Sequence, residues 1–149
     1  MPSLTPKHLR RLFSPDFLLI AALLASDLLI KRLFPQTNLN KSAVFSLPLP
    51  GWAIISTALI VITLLIVYLA QLTPPRYYIR RYALALVIAG GLSNTAERIF
   101  YHQVTDIIPF FNATINLADI IITVGLTILV FSVLLEDKKP HPDTSNNIK

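Results

Sequence analysis

Four long apolar stretches, approximately residues 17–34, 52–71, 78–98 and 116–135, constrain this chain more than any other feature. Each approaches the ~20 residues a helix needs to cross a hydrocarbon core about 30 Å thick. The second, WAIISTALIVITLLIVYLA, contains no charged residue at all. All eleven prolines, at 2, 6, 15, 35, 48, 50, 74, 75, 109, 140 and 142, fall outside the stretches. That is the distribution expected of helices, whose interiors reject a residue lacking an N–H. With 54% hydrophobic and 14% charged residues and a mean hydropathy of +0.62, the chain has too little polar surface for an ordinary soluble domain. The expected fold is an all-α integral membrane protein with four transmembrane helices. It comprises one membrane domain over residues 1–137 and a polar cytoplasmic tail over 138–149, without internal repeats.

Orientation follows from Lys and Arg. Nine of the thirteen basic residues are Lys7, Arg10, Arg11, Arg76, Arg80, Arg81, Lys138, Lys139 and Lys149. They occupy the two tails and the connection between the second and third stretches, so both termini are expected in the cytoplasm. The loops at about 35–51 and 99–115 are then external. The first stretch follows basic residues and contains Ala25 and Ser26, as a secretory signal would. It continues into Asp27 and Lys31, a favourable acid-first pair four residues apart, and is read as a retained helix. The net charge of +5 is scattered rather than gathered on a basic helix with interleaved aromatics, which argues against nucleic acid. The absence of cysteine excludes disulfides, cysteine metal sites and a thiol nucleophile.

Chemistry must therefore come from other side chains, and four acids stand out: Asp27, Glu97, Asp106 and Asp119. An Asp at the centre of a membrane helix costs roughly 2.5–3.5 kcal/mol, so such residues must face a protein interior or a wet cavity. Two carboxylates about 4 Å apart repel by roughly 4 kcal/mol at an effective dielectric near 20, and such a pair shares one proton. The ionised member can deprotonate a water that attacks a carbonyl while the protonated member supports the carbonyl oxygen. The division of roles belongs to the coupled pair. Asn94 and Arg98 share a helix face at a spacing of four, as Asn116 and Asp119 do at three, so each pair can point into one cavity. Gly90, Gly91 and Gly125 fit close helix approach beside it.

The segment GGLSNTAERIFYHQVTD followed by INLAD resembles the third and fourth spans of the bacterial lipoprotein signal peptidases (signal peptidase II). That family carries GN-x-x-DR, V-V-D-F and F-N-x-A-D elements in this order, and the nine-residue step from Glu97 to Asp106 matches its step between the first two acids. Asp27 and Lys31 resemble its D-Q-x-x-K element. Asn40, Ala43 and Phe45 in NKSAVFS resemble its N-x-G-A-A-F element. The likeness runs from about residue 17 to 130, with departures at Leu28, Ser42, Ser93, Glu97, Thr105 and Ile115, and a shortened stretch between Asp106 and Asp119.

The resemblance implies a membrane aspartyl endopeptidase of the bacterial plasma membrane, with its active site on the outer side. It would remove signal peptides from diacylglyceryl-modified prolipoproteins, cutting before the lipidated cysteine, without metal or organic cofactor. Asp106 and Asp119 would be catalytic; Asn40, Asn94, Arg98 and Asn116 would orient the dyad or hold substrate; Asp27, Lys31 and Glu97 are read as structural. The family also implies a small β-containing external cover, for which FSLPLPGW is the candidate here. Partners would be the diacylated prolipoprotein and membrane lipids, and the chain is read as a monomer.

Other classes compete with this reading. An inactive relative serving as a lipoprotein-binding or assembly factor would account for the altered motifs, but not for retention of both Asp106 and Asp119. A small proton-coupled transporter subunit would carry its acids at mid-depth, whereas these lie toward one face. A serine–lysine protease built on Ser46 and Lys41 lacks a rigid element for either residue.

Overall fold

A computed structural model describes residues 15–33, 38–40, 49–73, 77–111 and 113–136, with the backbone alone at 38–40. Four helices fall on the four apolar stretches: α1 (Pro15–Leu33), α2 (Gly51–Gln71), α3 (Tyr78–Tyr101) and α4 (Leu117–Glu136). At 1.5 Å per residue they are roughly 28–36 Å long. Pro15 opens α1, a position where its missing N–H costs nothing. Helix α3 runs three residues beyond Arg98 because nothing in RIFY breaks it. It stops at His102, which takes the left-handed conformation (φ 59°) and donates its N–H to the Arg98 carbonyl at 3.1 Å. Helix α4 starts one residue later than the apolar stretch, because Asn116 caps it.

Helix α3 is the centre, packed against each of the other three. Its sequence allows this: Ala83, Ala85, Ala89 and Gly90 are buried small residues that let neighbouring backbones approach. A buried cluster of Ile20, Ile62, Leu69, Leu84, Ala85 and Ile88 fills the middle of the bundle.

Polarity is inverted relative to a water-soluble protein. On α1 the residues turned inward are Asp16, Ile20, Asp27 and Lys31, at spacings that keep one helical face, while Leu18, Leu29 and Leu33 are exposed. On α2, Trp52, Ile60 and Leu64 are exposed and only Ile62 and Leu69 are buried. An apolar exterior of this extent is tolerable only in a non-aqueous surround. Two helices, Gly51–Gln71 and Leu117–Leu135, are long and apolar enough on their own to cross a membrane, with mean hydropathies of 2.7 and 2.5. The ionised residues of α1 and α3 set those helices apart from the other two.

Four three-residue strands gather at the end of the bundle where α1 and α3 finish and α4 begins. Strand β1 (Asn38–Asn40) pairs antiparallel with β2 (Val104–Asp106), aligning Asn38 with Asp106 and Asn40 with Val104. Strands β3 (Ile108–Phe110) and β4 (Ala113–Ile115) form a hairpin whose turn includes Phe111 at φ 50°. The segment FSLPLPGW does not supply these strands. Its residues 45–48 lie outside the described part, and Leu49 and Pro50 precede α2 without secondary structure. Pro50 lacks the N–H a ladder needs. The strands that do form are too short for an alternating pattern to reveal them.

Candidate active site

Each end of the bundle holds a polar cluster, with the apolar core between them. At the end without strands, Arg81 of α3 is ion-paired with Asp16 of α1 and donates to the carbonyls of Leu69, at 3.1 Å, and Leu72. Both carbonyls lie at the end of α2, where the intrahelical donors run out; that of Leu69 also accepts the Leu72 N–H at 3.3 Å. Asp16 is buried and was not among the residues singled out from the sequence; its place so near the start of an apolar run makes it look like an interfacial acid.

The opposite end brings together most of the residues expected at the site. Asn116 is the N-cap of α4, and its Oδ1 accepts the N–H of Asp119 at 2.9 Å. In return Asp119 Oδ2 accepts the Asn116 N–H at 3.2 Å. This reciprocal pair is a capping box with Asn and Asp in its two positions, and it fixes the Asp119 side chain against its own helix terminus. The remaining end of the Asn116 amide, Nδ2, donates to Asp106 Oδ1 at 2.8 Å. One residue, 1% exposed, therefore bridges the two aspartates. Asp106 ends β2 and is buried, whereas Asp119 is half-buried.

Helix α3 contributes the second wall. Asn94 Nδ2 donates to Asp119 Oδ1 at 2.9 Å. Arg98 lies one turn on, donating from Nη1 to the Asn94 carbonyl at 3.4 Å, and its charge is felt by Asp119, Asp106 and Glu97. Asn40 is on β1 beside Val104 in the ladder, and its side chain lies outside the described residues.

Asp27, Lys31 and Glu97 are also here. Lys31 Nζ lies 2.8 Å from both Asp27 Oδ2 and Glu97 Oε2, with all three residues buried. Asp27 Oδ1 accepts the Ala118 N–H at 3.0 Å, a donor with no partner inside α4. Glu97 Oε2 accepts the Thr105 N–H at 3.3 Å. Ser93 donates its hydroxyl to Asp27. Ser93 and Thr105, two of the departures from the family pattern, thus belong to the network, together with the backbone of Ala118. No sequence signal marks a backbone N–H as a ligand, but Ser93 and Glu97, four apart, share one face of the helix, with Asn94 on the adjoining face. Among the described residues, no three His, Cys, Asp or Glu side chains come together as a metal-binding group.

Chemically, this end offers two carboxylates joined by one amide, a nearby guanidinium and buried neighbours whose polar groups are committed. Of the two aspartates, Asp119 is the partly exposed one. Such an arrangement suits proton transfer at a single reacting centre.

This mostly helical fold is shared with bacterial membrane enzymes. One of these, solved by the in meso method at 2.3 Å resolution, superposes with a TM-score of 0.70 over 92% of this chain and 96% of its own, at 16% identity. The chain belongs to the signal peptidase II family, described as "Signal peptidase (SPase) II", whose profile matches residues 19–135. It is 33% identical over 121 residues to a lipoprotein signal peptidase of Clostridium acetobutylicum, covering 74% of this chain and 77% of that one. It is 35% identical over 150 aligned positions to a lipoprotein signal peptidase of Mesorhizobium japonicum, covering 84% and 88%.

Proposed function

We propose that this protein is a membrane aspartyl endopeptidase that removes the signal peptide from diacylglyceryl-modified prolipoproteins, cutting before the lipid-bearing cysteine. Asp106 and Asp119 are its catalytic pair. The observation that carries the reading is the Asn116 bridge, which holds one carboxylate through a side-chain N–H and the other through a backbone N–H. Membership of the peptidase family supports the substrate class.

In this mechanism the ionised aspartate takes a proton from a water as its oxygen attacks the scissile carbonyl carbon. The protonated aspartate donates a hydrogen bond to the carbonyl oxygen as it becomes tetrahedral. Collapse breaks the C–N bond and a proton passes to the leaving nitrogen, giving a signal-peptide carboxylate and a free cysteine amine. Asn94 and Asn116 orient the acids, and Arg98 supplies positive potential near the developing charge. All four helices cross the bilayer, with both termini cytoplasmic and the dyad toward the outer leaflet. Signal helix and lipid chains can then arrive laterally while water enters from outside.

The test is cleavage of a diacylated prolipoprotein by purified protein. Asp106→Asn and Asp119→Asn should each abolish turnover while leaving the fold intact, because an amide keeps the size of the acid but cannot deprotonate water. The loss should fall on kcat rather than KM. Wild-type rates in either folded variant would remove that residue from the mechanism. No cleavage by the unaltered protein would favour a binding or assembly role.

A further inference from the structure

Lys31 is bound more extensively than a pairing with Asp27 requires. An ammonium has three N–H donors and no acceptor, and all three are used: Asp27 Oδ2 and Glu97 Oε2 at 2.8 Å, and Asn94 Oδ1 at 3.2 Å. The third contact has a directional consequence. With Oδ1 facing the ammonium, Asn94 Nδ2 must face the other way, and there it donates to Asp119 Oδ1 at 2.9 Å. Rotating the amide by half a turn would set an NH2 against an NH3+ and a carbonyl oxygen against a carboxylate. Lys31 thereby selects one of two amide orientations of equal shape.

The other two contacts lead to the same pair of aspartates. Asp27 holds the N–H of Ala118, the residue immediately before Asp119. Glu97 holds the N–H of Thr105, the residue immediately before Asp106. These two N–H groups lie on different elements, α4 and β2, and the carboxylates that grip them come from α1 and α3. The Lys31 ammonium is bound to both carboxylates.

We infer that Lys31 is a positioning residue for the proposed dyad: it locks the Asn94 amide toward Asp119 and clamps the two carboxylates that set Asp106 and Asp119 in register. This rests on the peptidase reading above. Lys31 acts on the dyad through Asn94, Asp27 and Glu97.

The experiment compares Lys31→Met, Asn94→Ala, the double variant and Asp119→Asn, purified in detergent and given a diacylated prolipoprotein. Misplacement of reacting groups by about 1 Å costs on the order of 10²-fold. Lys31→Met should therefore lower kcat by about that factor with little change in KM. The double variant should lose less than the product of the two single losses, since part of the Lys31 effect passes through Asn94. Should Lys31→Met fail to fold, a neutral set, Asp27→Asn with Lys31→Met and Glu97→Gln, keeps oxygen acceptors for Ala118 and Thr105 without burying unpaired charge. It should fold and still lose turnover. Wild-type kcat in either folded variant, or losses that multiply in the double variant, would overturn the positioning role. Wild-type turnover by Asp119→Asn would instead remove the peptidase assignment of that residue.

Discussion

Gly90 is where one methyl group should separate packing from chemistry. A Cβ built there would stand 2.6 Å from the Ala118 carbonyl oxygen and 2.7 Å from Ile122 Cγ1. The first of these is backbone of α4, which cannot turn aside as a side chain could. Restoring ordinary contact requires the start of α4 to move off α3 by roughly 0.8 Å in a close-packed interior. Overpacking of this kind costs about 1–3 kcal/mol, and the better helix propensity of alanine returns at most about 1 kcal/mol. With an immovable carbonyl among the contacts, Gly90→Ala should be destabilised by about 2 kcal/mol, lowering the thermal midpoint in detergent by roughly 4–8 °C. The same movement separates Asp119, the next residue, from Asn94 on α3, so turnover should fall on the order of 10²-fold. Gly125 is the internal comparison. A Cβ there meets the Ala83 carbonyl oxygen and Val87 Cγ2 at 2.8 Å, so Gly125→Ala should lose similar stability. It lies about 9 Å further along α4 from Asp119 and should keep most of its turnover. Gly91→Ala, whose Cβ would meet Ile62 at 3.4 Å, should be neutral or slightly stabilised. A Gly90→Ala protein as stable and active as Gly91→Ala would refute the close-approach argument.

Asn116→Ala should remove both the cap, worth about 1 kcal/mol, and the bridge to Asp106. Asn116→Asp keeps a cap acceptor but replaces the donor to Asp106 with a buried like-charged acid, so it should lose cleavage and be less stable than Asn116→Ala; wild-type cleavage in both variants would contradict the bridge. At the other end, Arg81→Met leaves Asp16 buried without its partner and should cost about 3–5 kcal/mol in thermal unfolding. Arg81→Lys keeps the charge but not the fork that reaches Asp16 and two carbonyls together, so an intermediate loss is expected, and wild-type stability in both would refute the clasp. Reporters fused after residue 149 and within 72–77 should read cytoplasm, and one within 36–48 should read outside. An external C-terminus would overturn the orientation drawn from the basic residues.

Helix positions were legible because the apolar stretches and the proline punctuation obey one rule, that a helix in lipid must satisfy its backbone internally and present apolar side chains outward. The acids were legible for the same reason, since Asp27, Glu97, Asp106 and Asp119 are too costly in apolar surroundings to be there without a task. Strand positions were not. NLN, VTD, IPF and ATI are each shorter than one clear alternation, and their pairing joins segments more than sixty residues apart in the case of β1 with β2. The partners of Arg81 were equally hidden, because two of them are carbonyls, and every residue has one.

By itself, the sequence determined the membrane character, the number and placement of the helices and which polar residues lie in or beside them, because hydropathy and residue type are local properties. Tertiary structure alone decided the associations. Asp27 and Lys31 look like a self-sufficient pair when only α1 is considered, yet their remaining bonding capacity is spent on Ala118, Glu97 and Asn94, which other helices deliver. Asn116 looks like one half of an i,i+3 motif, and becomes a bridge because β2 brings Asp106 to its free N–H. A buried polar group needs a hydrogen-bond partner, and which partner it finds depends on how α1, α3 and α4 pack.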